Sequence, residues 1–280
     1  MGQPKHYVFH ASACAAAARI RRPKPMTMPA HGAAALPITG GESRADHPTC
    51  KWPEQPEAGA AHYLTFDSVL SHVNGDFEDA AQATAMTRGE VPVESLAALT
   101  GVTSEVRNVS VMGRVTAARV VMKLQARSVT WEPSIRCEGS VLEGVAVDGH
   151  PVSITLATDF FSQHDTLAKL GDACGTPTHR HCFFDGGEGA RHGFVHRNGT
   201  GKATLVKEIT WAGPAHPNAT IDGHCITIPD FGKVYFGELF VTAASRRLTM
   251  MRFQLGSPVG GEICLASGDT NGSQWPPTGP

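Results

Sequence analysis

The side chains best able to bind a metal or move a proton gather in one stretch, CGTPTHRHCFFDGGEGARHGFVH, which holds Cys174, His179, His181, Cys182, Asp185, Glu188, His192 and His196. Thiolates and imidazoles suit tetrahedral zinc, so Cys174, His179, His181, Cys182, His192 and His196 form a candidate zinc-ligand set. With that metal in place the chemistry would be structural binding or metal-dependent hydrolysis. His192 and His196 have the spacing of the second ligand pair of a zinc finger. The first pair departs from it, since seven residues separate Cys174 from Cys182 where two to four are usual. On an extended strand His192 and His196 share a face but stand about 13 Å apart. The competing reading is a solvated polar connection.

Other chemistry is sparser. The chain has no Gly-x-Ser-x-Gly elbow, no Ser-x-x-Lys, no His-Glu-x-x-His and no phosphate-cradling P-loop. Asp76, Glu78 and Asp79 crowd one turn, which reads as a solvated acidic tip or a weak calcium site. Glu238 interrupts the apolar run VYFGELFV. A charge there needs solvent or a partner, and Arg246, Arg247 and Arg252 are the candidates. Simple alternation places Glu238 on the face of Phe236 and Phe240.

These residues must be positioned by a chain that reads mainly as β-strand. Alternating apolar runs cover His62–Phe66, Val69–Asn74, Leu99–Met112 and Val115–Ser128, the last two meeting at Met112-Gly113-Arg114. Val115–Ser128 also fits helical spacing, but its valines favour strand. Ser140–Val147 and Pro151–Leu156 flank Asp148-Gly149, a strong hairpin signal. Ala80–Thr87 reads as a returning strand. Thr158–Leu170 reads as the one clear helix, capped by Thr158 or Asp159 and ended by Gly171. Strands resume at Gly193–His196 and Ala203–Trp211, and about four more fill Ala219–Leu265. His6–Cys14 reads as a first strand, and Arg22–Pro56, rich in proline, as an irregular connection.

The expected fold is therefore mainly β, an antiparallel sandwich or stacked β modules with one short helix in the central connection. Three regions follow: 1–61, an N-terminal strand and Pro-rich connection; 62–267, the β-rich domain with a helix and Cys/His insert at about 158–192; and 268–280, a Pro/Gly-rich tail. A chain of 280 residues, 41% hydrophobic and 18% charged, can bury a full core. A net charge of -2 offers no field for nucleic acid. No apolar run reaches the roughly 18 residues of a membrane span. The 7 cysteines are odd in number and fit no disulfide framework, and the N-terminus lacks the order of a signal peptide. Both favour a cytoplasmic location.

VTAARVVMKL, VLEGVAVDGHPVSITL, IPDFGKVYFGELFV and LTMMRFQLGSPVGGEICLASGDTNGSQWP, with YVFHASA and ALPITGG upstream, resemble a family of uncharacterised bacterial β-rich proteins. More distantly, Asp148-Gly149-His150-Pro151-Val152 and Ile228-Pro229-Asp230-Phe231-Gly232 resemble the choice-of-anchor P type domains of bacterial surface proteins. The second resemblance implies secretion; neither implies an activity. The leading expectation is a non-enzymatic structural or binding protein acting through protein contacts or self-association at sheet edges. The alternatives are the zinc protein or hydrolase above and a carbohydrate-binding sandwich that stacks sugars on Trp131, Trp211 or Tyr235.

Overall fold

Val, Ile, Phe and Ala at alternate positions build strands that bury one face each, and a computed structural model arranges them as two antiparallel sheets. It describes residues 6–56, 61–88, 90, 96–129, 133–174, 200–242 and 245–275. The first strands are β1 (His6–Arg22), β2 (Met26–Ala35), β3 (Gly41–His47), β4 (Cys50–Trp52), β5 (Leu64–Phe66) and β6 (Ser68–Phe77). Helix α1 (Ala80–Thr87) leads to β7 (Ala98–Val111), β8 (Val115–Ser128), β9 (Ser134–Arg136), β10 (Val141–Glu143), β11 (Ala146–Val147) and β12 (His150–Leu156). Helices α2 (Thr158–Gln163) and α3 (Leu167–Cys174) precede β13 (Thr200–Thr204) and β14 (Val206–Trp211). The chain continues with β15 (Thr220–Asp222), β16 (Cys225–Ile228), β17 (Gly232–Thr242), β18 (Ser245–Leu255) and β19 (Gly260–Trp275).

The first sheet runs β15-β16-β17-β18-β19-β1-β2, with β13 paired to β17. The second runs β14-β12-β11-β8-β7-β5-β4, with β6 joining β7 to β3 and with β9 and β10 on β8. Phe236, Phe253, Ile226 and Leu265 from the first sheet and Phe66, Val106, Met122 and Leu124 from the second belong to one buried core. The sheets also meet through polar groups. Thr270 in β19 donates to Thr100 in β7 at 2.8 Å, and both are buried. The expected antiparallel, sandwich-like fold is what the chain forms.

Several local expectations are corrected. Arg22–Pro56 is not an irregular connection, because it carries β2, β3 and β4. Pro29 is accommodated because β2 is an edge strand. Ala80–Thr87 is helical, since its alanines favour helix and Asp79 Oδ1 accepts the N–H groups of Ala81 at 2.8 Å and Gln82 at 3.1 Å. The single helix at Thr158–Leu170 is two, broken around His164, whose φ of -110 and ψ of 58 leave the helical range. The tail from residue 268 is strand as far as Trp275, and β19 lies inside the sheet between β18 and β1. Its inward residues there are small, with Gly268 and Thr270 buried, so an apolar signal was missing.

Each sheet also carries a transverse fault. In the first, the ladder passes over Ala15, Ala266, Met250 and Gly237, pairing the residues on either side of each, such as Phe236 with Met251 and Glu238 with Thr249. Gly237 has φ 61 and Ala266 φ 48, and Gly32 in β2 continues the row with φ 61. At the fault two consecutive residues face inward, as with Ala15 and Ala16 or Met250 and Met251, and alternation resumes in the opposite phase. This inverts the expected face of Glu238: it points outward with Phe240, while Phe236 is buried. The second sheet repeats the device at Asn108, with φ 50, and at Ala118. Gly237 has a further task. Leu205, where the chain passes from β13 in one sheet to β14 in the other, donates its N–H to the Gly237 carbonyl at 2.8 Å.

Candidate functional site

Four clusters stand out among the described polar groups, three of them internally satisfied. At one corner the β7–β8 hairpin presents Arg114, whose Nε and terminal nitrogens grip Asp148 at 2.8 and 2.6 Å and the Pro229 carbonyl at 3.0 Å. His216 contacts the same carboxylate through Nε2 at 3.1 Å. Its Nδ1 accepts the backbone N–H groups of Asn218 at 3.1 Å and Ala219 at 2.9 Å, which fixes the proton on Nε2. With both nitrogens used and one ring face stacked on Trp211, His216 has no lone pair left for base catalysis. The corner joins Asp148-Gly149 to Pro229-Asp230-Phe231 as a clasp.

That clasp gives the first expected outcome. The Arg114 guanidinium holds the Asp148 carboxyl below its ordinary value; burial opposes this, and His216 adds to it. The stabilisation is therefore full above the ordinary carboxylate pKa of about 4 and is lost as pH falls through the lowered value. Asp148→Asn should cost about 2 kcal/mol at pH 7, measured by urea unfolding, and progressively less below pH 4. A difference unchanged down to pH 2 would contradict an ionic clasp.

On the outer face of the first sheet, Arg252 makes a bidentate pair with Glu238 at 2.6 and 2.8 Å and lies 4.1 Å over the Tyr235 ring. Of the three arginines considered for Glu238, Arg252 is the partner. Nearby, His10 Nε2 reaches Asp269 Oδ2 at 3.0 Å and Ser12 donates to Asp269 Oδ1. The carboxylate stands between imidazole and hydroxyl, so the imidazole is not placed to take the serine proton. On the second sheet, burial pushes the Glu105 carboxyl up, but Arg119 at 3.0 Å and Arg107 at 2.6 Å outweigh it and hold it below the usual range.

The fourth cluster is a groove of about 370 Å³ on the second sheet, lined by Asn74, Leu99, Gly101, Gln125, Arg127, Ser134 and Arg136 among others. It lies over a single register row. Asn74 in β6 pairs with Gly101 in β7, Gly101 with Gln125 in β8, and Gln125 with Arg136 in β9. Gly101 leaves room for the Asn74 carboxamide to lie across the floor of the groove, since a Cβ there would stand 2.4 Å from Asn74 Oδ1. Leu99 in the lining is 37% exposed, so the groove has an apolar side. Arg127 is held by Glu78 at 2.6 Å. Arg136 is exposed and has no ion pair among the described residues.

Of the zinc candidates, Cys174 ends α3 and the others, His179, His181, Cys182, His192 and His196, lie outside the described residues, as does Trp131. Among the described residues no three of His, Cys, Asp and Glu gather as a metal site. The acidic turn does not converge. Asp76 accepts the Phe77 N–H at 2.8 Å, Glu78 pairs with Arg127, and Asp79 caps α1. The described cysteines are free: Cys14, Cys50, Cys137, Cys225 and Cys264. Burial raises every one of these thiols, Cys137 to about 12 and Cys264 to about 11, against thiolate chemistry. Tyr235 and Trp211 each have a ring face covered, by Arg252 and His216.

The groove escaped sequence reasoning because its residues come from four strands and share no spacing. One signal was present: a glycine inside the alternating run at Gly101, which marks a close approach or a missing side chain. Among comparisons with known proteins, no curated protein and no solved structure matches the chain. A family model described as a domain of unknown function, DUF8256, matches residues 7–182 and 178–242. By that match, which spans most of its length and nearly all the strands above, the chain belongs to the DUF8256 family.

Proposed function

We propose that this is a non-enzymatic binding protein that engages a protein partner through the outer face of its second sheet. The observation that carries the reading is the groove along Asn74, Gly101, Gln125 and Arg136, a polar row bordered by the exposed side chain of Leu99. Interfaces take this form, with an apolar patch beside arginine and amide groups. The sheet edges are less suited to assembly. β4 and β15 have three residues each, β2 carries Pro29, and β14 exposes Lys207 and Glu208. Short, charged or proline-bearing edges resist strand addition. The distant likeness of the two clasp phrases to bacterial surface-protein domains supports a binding role as well.

A photoreactive benzoylphenylalanine placed at Gln125, and separately at Lys233 on the first sheet, tests the proposal in the native host. A discrete protein adduct from Gln125 and none from Lys233 is the expected result. No adduct at Gln125, or the same adducts from both positions, would overturn it.

A further inference from the structure

The groove has a charge as well as a shape. We propose that it selects an extended peptide segment by one acidic side chain, whose carboxylate docks on Arg136 while the segment's main chain meets the amides of Asn74 and Gln125. This rests on the binding-face reading and names the partner chemistry for that face.

Charge complementarity is the first argument. The lining holds Arg127 and Arg136 and no carboxylate. Glu78 already takes one edge of the Arg127 fork and balances its charge, at 3.1 Å to Nε and 2.6 Å to a terminal nitrogen. Of the two lining cations Arg136 is thus the one without an ion pair among the described residues, and a planar guanidinium is suited to donate to a carboxylate bidentately.

The amides are the second argument. Asn74 and Gln125 flank Gly101 on the same row, and neither side chain hydrogen-bonds within the described residues. Each carboxamide offers both donors and an acceptor, which matches the alternating N–H and C=O groups of an extended main chain. A free carboxylate would use Arg136 and leave these groups to water.

Size and surroundings are the third. About 370 Å³ accommodates one or two side chains and not a folded module. Leu99 then supplies an apolar shelf for a residue two positions from the acid, which lies on the same face of a strand.

Amide-resolved NMR titration of the full chain tests this. The probes are acetyl-Thr-Val-Glu-Val-Thr-amide, its Gln and Lys counterparts, and free glutarate. The Glu peptide is expected to shift the Gly101 amide and the Asn74 and Gln125 side-chain amides saturably, about tenfold more tightly than the Gln peptide, and the Lys peptide not at all. Arg136→Gln, an exposed change that leaves the core intact, should erase the Glu preference, and Arg136→Lys should keep part of it. Gly101→Val pushes the Asn74 carboxamide off the floor of the groove and should weaken both peptides. Glu and Gln peptides binding alike at the row would overturn the carboxylate assignment and leave the face reading standing. Glutarate binding as tightly as the Glu peptide would overturn the peptide assignment. No shift along the row with any probe would sink the inference, while adducts at Gln125 would still report the face itself.

Discussion

Gly232→Ala is expected to lower the unfolding free energy by about 4 kcal/mol, combining backbone strain with overpacking against main chain. Gly232 has φ 128, outside the range that side-chain-bearing residues adopt readily. An added Cβ would stand 2.1 Å from the Gln254 carbonyl oxygen and 2.7 Å from the Gly256 nitrogen. Those are backbone atoms at the end of β18, so no side-chain rotation relieves the clash. The turn that Gly232 closes also supplies the Pro229 carbonyl to Arg114, so the strain reaches the clasp. Urea unfolding with a shifted midpoint and unchanged slope is the expected observation. A loss below about 1 kcal/mol would mean that the β16–β17 turn can rebuild itself, against the packing described above.

Phe236→Ala should cost a similar amount, about 4 kcal/mol, because Phe236 is fully buried and its removal leaves a cavity between the sheets. The informative control is Phe240→Ala on the same strand. Uninterrupted alternation puts Phe236 and Phe240 on one face and predicts comparable losses. The fault at Gly237 separates them, leaving Phe240 40% exposed, so Phe240→Ala should change stability by no more than about 0.5 kcal/mol. Equal losses in the two variants would remove the phase inversion from β17.

How far the sequence could be read depended on how local each signal was. The hairpins at Met112-Gly113-Arg114 and Asp148-Gly149 were legible because turn and flanking alternation lie within a few residues. The helix at α1 was missed because its alanines count as apolar in an alternating pattern while their backbone preference is helical. Arg44 and Asp46 alternate outward on β3 without a strongly apolar inner face, so that strand looked like loop. The Glu238–Arg252 pair was among the partners foreseen, yet its face was inverted by Gly237. The candidate groove depends on lateral register across four strands, which no linear spacing records. Only Gly101, a glycine where a strand residue was expected, hinted at it.

The position of β19 bears on how the molecule is made. β1 is held between β2 and β19, which lies far along the chain from it, and Phe9 and Ile20 in β1 are buried in the finished sandwich. Pairings such as His10 with Asn271 therefore wait until β19 has been synthesised. Until then β1 and β18 each carry an unsatisfied edge, the state in which strands aggregate or recruit chaperones. Such distant pairings favour slow, late folding. The first sheet closes only once β19 is available, and a chain stopped before Gly260 would lose the middle of that sheet, not its edge.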